Sequence, residues 1–188
     1  MTSLSLGMIA LAGLALAVER DATNYVGVKT CAICHRNIMT EEDNGNQMGE
    51  WEVGPHARAF AILGSPAAKT IGKKLGVADP RKSGKCLKCH STAYNFTETI
   101  ATEEIQPEDG VVCESCHGPG KKYIGKGIMT DKAKAVEAGL IAPATQTCKL
   151  CHNEESPTFK GFNEAASAKE IAHSDPKLRI KRAQTRGE

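Results

Sequence analysis

Apolar residues fall unevenly along the chain, and only a few stretches repeat at a helical period. Leu4 to Ala17 is an almost unbroken apolar run. His56 to Leu75 places Phe60, Ile62, Leu63, Ala67, Ile71 and Leu75 at helical spacing, with an interruption at Gly64-Ser-Pro66. Lys132 to Leu140 reads as a short helix carrying Ala135, Val136 and Ala138, stopped by Gly139 and Pro143. Asn163 to His173, rich in Ala and Glu, reads as another. Residues 36–50 are polar and rich in Gly and Asn, which predicts a loop. Residues 91–112 are irregular, with extended character from Tyr94 to Ile100. The predicted fold class is mainly α with extensive irregular loops and little sheet.

The first apolar run is shorter than the roughly 20 residues a membrane-spanning helix requires. It closes on Ala15-Leu16-Ala17, a small-x-small cleavage pattern, and charges begin directly after it at Glu19, Arg20 and Asp21. Residues 1–17 are therefore predicted to be a cleaved export signal, although Met1-Thr-Ser offers no cation. A retained anchor and a buried N-terminal helix are the alternatives. Residues 18–188 are enough for one domain. The stretch 177–188 is a basic tail, read either as a solvated end or as a docking element for an acidic partner.

Composition sharpens this picture. One Trp, three Tyr and four Phe are few aromatics for a core of this length. All eight cysteines and four of the six histidines fall into four copies of Cys-x-x-Cys-His. These are Cys31/Cys34/His35, Cys86/Cys89/His90, Cys113/Cys116/His117 and Cys148/Cys151/His152. The pentapeptide is the attachment signature of c-type haem: two thiols bond the porphyrin vinyls, and the adjacent histidine reaches the iron. Redox dithiols, Cys₄ zinc centres and a disulfide framework compete with that reading. None of the three requires a histidine after every second cysteine. The sequence thus predicts a compact multihaem cytochrome c wrapped around four covalent haems, whose flat apolar faces explain the scarcity of aromatic residues. The formal charge of +2 falls by about 1 per ferric haem, so nothing here points to nucleic acid.

Each haem takes its fifth ligand from its own motif, leaving only His56 and His173 for the opposite faces. At most two haems are then bis-histidine within one chain. The others must use a thioether from Met39, Met48 or Met129, another donor, a neighbouring chain's residue, or nothing.

Trp51-Glu-Val-Gly-Pro-His56-Ala-Arg-Ala-Phe60 and Gly110-Val-Val-Cys113-Glu-Ser-Cys116-His117-Gly-Pro-Gly120 resemble segments of the tetrahaem cytochrome c-554 family. The resemblance runs from about Val26 to His173, with the 36–50 loop as an insertion. It implies that His56 caps the third haem and His173 the fourth, leaving the second haem, on Cys86/Cys89/His90, open. In the family a distal histidine for the first haem follows Gly-Pro-Gly. Here that stretch is Lys121 to Thr130 without histidine, and Met129 lies near the expected place. The function so implied is periplasmic electron transfer with redox partner proteins, and not enzyme catalysis. Two alternatives are kept. One is a subunit of an extracellular or membrane-associated multihaem assembly, with self-association or contact with a respiratory complex. The other is a reductase acting on a nitrogen oxide at the open haem.

Overall fold

A computed structural model describes residues 21–36, 46–95, 98–99, 101–143 and 145–173. The proposed signal 1–17, Met39 and the basic tail 177–188 lie outside the described residues. Among the described residues, ten short α-helices are joined by loops and one two-stranded hairpin. In chain order they are α1 Gly27–His35, α2 Gln47–Val53, α3 Ala59–Ile62, α4 Pro66–Lys74 and α5 Gly84–His90. After the hairpin of β1 Tyr94–Asn95 and β2 Glu98–Thr99 come α6 Cys113–His117, α7 Lys126–Met129, α8 Lys132–Glu137, α9 Thr145–Lys149 and α10 Glu164–Ile171. None of these helices is long and apolar enough to cross a membrane.

Local chemistry accounts for most boundaries. Ser65 accepts from the Ala68 N–H with Pro66 at the first helical position, so α4 starts where the break at Gly64-Ser-Pro66 was expected. Asp131 caps α8 and Asn163 caps α10 in the same way. Gly139, at φ 108°, ends the α8 segment. The extended stretch near Tyr94 is the antiparallel hairpin, pairing Tyr94 with Thr99 and Asn95 with Glu98. One expectation needs correcting: residues 47–50, assigned to a loop, open α2. Asn46 receives the Gly49 N–H, and Met48 then turns inward to a buried position. A polar run thus hid a capped helix with one apolar anchor.

The buried core is small. Tyr25, Val28, Met48, Ala93, Ile105 and Val112 form its centre, with Ala22, Ala32, Trp51 and Cys113 packed against it. These residues come from α1 and the residues before it, α2, the turn after α5 and the approach to α6, so the core joins the first and third Cys-x-x-Cys-His segments and touches the end of the second. Gly27 makes the tightest approach within this region. It adopts φ +74°, and a Cβ there would sit 1.9 Å from the Glu104 carbonyl oxygen. Gly27→Ala should therefore cost about 3 kcal/mol, through left-handed strain and a backbone clash together. Denaturant unfolding followed by circular dichroism checks this, and an unchanged midpoint would contradict the packing described.

Candidate functional site

Each Cys-x-x-Cys-His sequence makes or ends a short helix: α1, α5 and α6 finish on His35, His90 and His117. α9 ends at Lys149, between Cys148 and Cys151, and His152 follows in a turn. One helical turn brings both thiols and the imidazole of a motif to neighbouring positions. The four segments then meet in pairs. α1 packs against α6, which brings the Cys31 and Cys113 sulfurs beside each other. Cys89 and Cys151 lie beside each other between the second and fourth motifs, where the Cys151 thiol donates to the Lys88 carbonyl at 3.9 Å next to the Lys88–Glu155 ion pair.

Cys34 departs from the other attachment thiols. The sequence treats all eight alike, within a chain wrapped around its haems, but Cys34 is exposed while the other seven are partly buried. Helical period gives the reason. Val28 and Ala32 lie on the face of α1 that packs into the core, and Cys31 beside them meets Cys113. Positions 33 and 34 then fall on the opposite face, where Ile33 and Cys34 both stand in the open. Cys34 thus lies at the outer edge of the first motif, with Cys31 at its inner edge.

The histidines are arranged around the paired motifs. His56 lies against His152 with ring centroids 6.2 Å apart at 69°. His173 lies against His117 at 5.9 Å and 61°. Metal–imidazole bonds of about 2 Å on opposite sides of one ion put trans ring centroids about 6 Å apart. Both pairs therefore have the spacing of two imidazoles sharing an iron. The resemblance gave His56 to the third motif and His173 to the fourth, whereas the rings face His152 of the fourth and His117 of the third. The cause is visible in the backbone. The His56 carbonyl accepts from Val111 N–H at 3.1 Å, just ahead of the third motif, yet its ring faces the fourth. Gly110, at φ +72°, allows that approach, since a Cβ would meet the His56 oxygen at 2.7 Å.

Electrostatics suits ligation. Burial holds His56 and His117 below the usual imidazole range, with the facing histidine adding to the effect; neutral imidazole is the metal-binding form. The Nδ1 of His90 contacts the Ala59 carbonyl at 2.7 Å, and that of His117 contacts the Ile141 carbonyl at 3.0 Å. A carbonyl accepts, so Nδ1 carries the proton and Nε2 is left for a metal. His35 Nδ1 lies 3.3 Å from Gln47 Oε1. Phe162 stacks on His152 at 4.6 Å and 18°. Among the described residues no ring contact joins His35 or His90 to a second imidazole, although His35 lies close enough to His117 and His173 to act on both electrostatically. Met129 is half-buried at the end of α7, and Met48 is a core residue.

One residue of this region carried no signal beyond its motif. Glu114 is 3% exposed, and its carboxylate accepts from the backbone N–H groups of Val26 at 3.0 Å, Gly27 at 2.9 Å and Gly120 at 2.7 Å. It thereby ties the start of α1 to α6 and to the loop after it. Burial, together with the Glu114 charge, pushes the Tyr123 hydroxyl well above the usual phenol range. Tyr123 donates to the carbonyls of His117 and Gly118. The sequence signal that could have flagged Glu114 is an acid inside an attachment motif next to glycine-rich turns.

The residues present fit haem. Among the described residues no group of three or more His, Cys, Asp or Glu is arranged to hold a metal, whereas a structural zinc centre needs four such donors. What the chain does present is imidazole pairs and apolar surface at the motifs. Ile33, inside the first motif, is 79% exposed, with Leu150 of the fourth and Ile141 beside His117 also exposed. Exposed apolar side chains next to the motifs are surface that a flat hydrophobic group could cover.

Comparison with known proteins agrees. A family model described as cytochrome c554 and c-prime matches residues 30–118. A curated relative, cytochrome c-554 of Nitrosomonas europaea, is 28% identical over 154 residues. The alignment covers 73% of this chain and 61% of the relative, so the chain spans under two thirds of that protein's length. No solved structure matches.

Proposed function

We propose, from this likeness to cytochrome c-554, that the chain holds haem c covalently and carries electrons through four such groups in the periplasm. Haem c supplies one-electron oxidation and reduction at its iron. The polypeptide supplies attachment, ligation and surroundings. Cys31/Cys34, Cys86/Cys89, Cys113/Cys116 and Cys148/Cys151 are the thioether positions, with His35, His90, His117 and His152 as proximal ligands. His56 and His173 are the distal ligands at the fourth and third sites. Met129 is the thioether proposed for the first.

The observation that carries this reading is the pair of histidine couples at trans-ligand spacing, each joining a motif histidine to one of the two spare histidines. The meeting of the first motif with the third, and of the second with the fourth, supports short electron paths within each pair. Such movement needs no acid or base from the protein. His90, which faces no second imidazole among the described residues, favours a second reading as a reductase of a small nitrogen oxide. Consumption of nitric oxide by the reduced protein, turning over faster than free haem, would establish that activity.

Intact mass tests the main proposal. The exported protein should weigh four haem masses more than the chain from about Val18. A haem-free chain, or one retaining zinc instead, would overturn it.

A further inference from the structure

Charge is segregated along this chain. Between Glu52 and Glu98 the single acidic residue is Asp79, whereas the whole protein is nearly balanced, with 24 Lys and Arg against 22 Asp and Glu. The cations of that interval gather on α4, the turn Pro80–Lys82 and the start of α5. Lys69, Lys73, Lys74, Arg81, Lys82 and Lys85 are all exposed.

The structure holds these elements together as one face. Pro80 packs on Gly72 so closely that a Cβ there would meet its ring at 2.9 Å. The Lys85 ammonium donates to the Leu75 carbonyl at 3.5 Å, joining α5 to the end of α4. Asp79, Lys82 and Lys85 border a shallow cavity of about 410 Å³. Lys73 and Lys74 complement the carbonyl end of α4, but that local role does not account for Lys69, Arg81, Lys82 and Lys85. Asp79 neutralises little, since it is 3.8 Å from Arg81 and its side chain also caps the turn. Leu75, 40% exposed at the end of α4, gives the surface an apolar point among its cations. Lys85 directly precedes Cys86, so the face borders the second attachment motif.

We propose that this face docks an acidic redox protein and makes the second motif the point where electrons enter or leave. The proposal rests on the electron-carrier reading above. Complementary charge steers two proteins together and raises the association rate, an effect that salt removes. The face borders an attachment motif at Cys86, which favours a redox protein over an anionic membrane or a small anion, since neither of those exchanges electrons.

The test uses the full holoprotein and reduced flavodoxin as an acidic probe, with photoreduced lumiflavin as a small neutral reductant. Lys69→Glu, Lys73→Glu and Lys82→Glu together should slow reduction by flavodoxin at least about tenfold at low ionic strength and flatten its salt dependence. Reduction by lumiflavin should not change. Lys132→Glu, Lys160→Glu and Lys169→Glu together, all off this face, should leave both rates near those of the native protein. Equal slowing by the two triple variants would overturn the proposal, as would an unaltered rate in the first. A native protein that exchanges no electrons with flavodoxin but binds phosphatidylserine vesicles through these lysines would also overturn it, in favour of a membrane. If lumiflavin fails to reduce even the native protein, the carrier reading itself has failed.

Discussion

His56→Ala converts one low-spin haem to high-spin and leaves the other low-spin signals intact. The expectation follows from ring geometry. His56 and His152 stand 6.2 Å apart across one proposed iron, and deleting one imidazole leaves ferric iron with a single strong axial donor. Ligand identity sets both spin state and potential, so that haem's potential should shift as well. His173→Ala should do the same to a different signal, the one owed to His117. Added imidazole should restore each variant. Low-temperature EPR of the ferric protein makes the count, and a spectrum unchanged by His56→Ala would remove this residue from the axial set. The native spectrum should already contain a high-spin component from the second site, where His90 bonds through Nδ1 to Ala59 and faces no second imidazole among the described residues.

Glu114→Ala should be the most damaging substitution outside the haem-binding residues. The buried carboxylate receives the N–H groups of Val26, Gly27 and Gly120, and alanine leaves all three without that acceptor. A buried donor left unpaired costs about 1–3 kcal/mol, and several together cost less than their sum. A loss of about 4 kcal/mol is expected, which for a chain of this size lowers Tm by about 10 °C. Glu114→Gln keeps one carbonyl oxygen but turns an amide N–H₂ toward the N–H donors, so it should fall between the two. Thermal unfolding at neutral pH ranks the three proteins. A melting temperature for Glu114→Ala within a degree or two of the native value would show that the clamp contributes little.

The local chemistry of the chain was legible without coordinates. Four Cys-x-x-Cys-His motifs name the cofactor, because thiol spacing and the adjacent histidine are properties of five consecutive residues. The break at Gly64-Ser-Pro66, the helix starting at Asn163 and the stop at Gly139 are equally local, and all appear in the fold. α2 was hidden because a single inward Met48 in a polar run gives no periodicity to read. The exposure of Cys34 was hidden for a related reason: the motif places two thiols on one turn, but only the packing of α1 decides which of them faces inward.

Counting histidines in the sequence limited the bis-histidine sites to two, but it could not say which motif each spare histidine faces. Tertiary structure decided that. The His56 backbone is fixed to the third motif's approach through Val111, while its side chain projects to the fourth motif's His152. His173, the last described residue, reaches back to His117. Chain position constrains where a backbone passes, whereas ligation depends on where a ring points after distant segments have packed. The same holds for Glu114, whose partners Val26 and Gly27 lie 88 and 87 residues away. Its role comes from α1 and α6 meeting, a contact that no five-residue motif encodes.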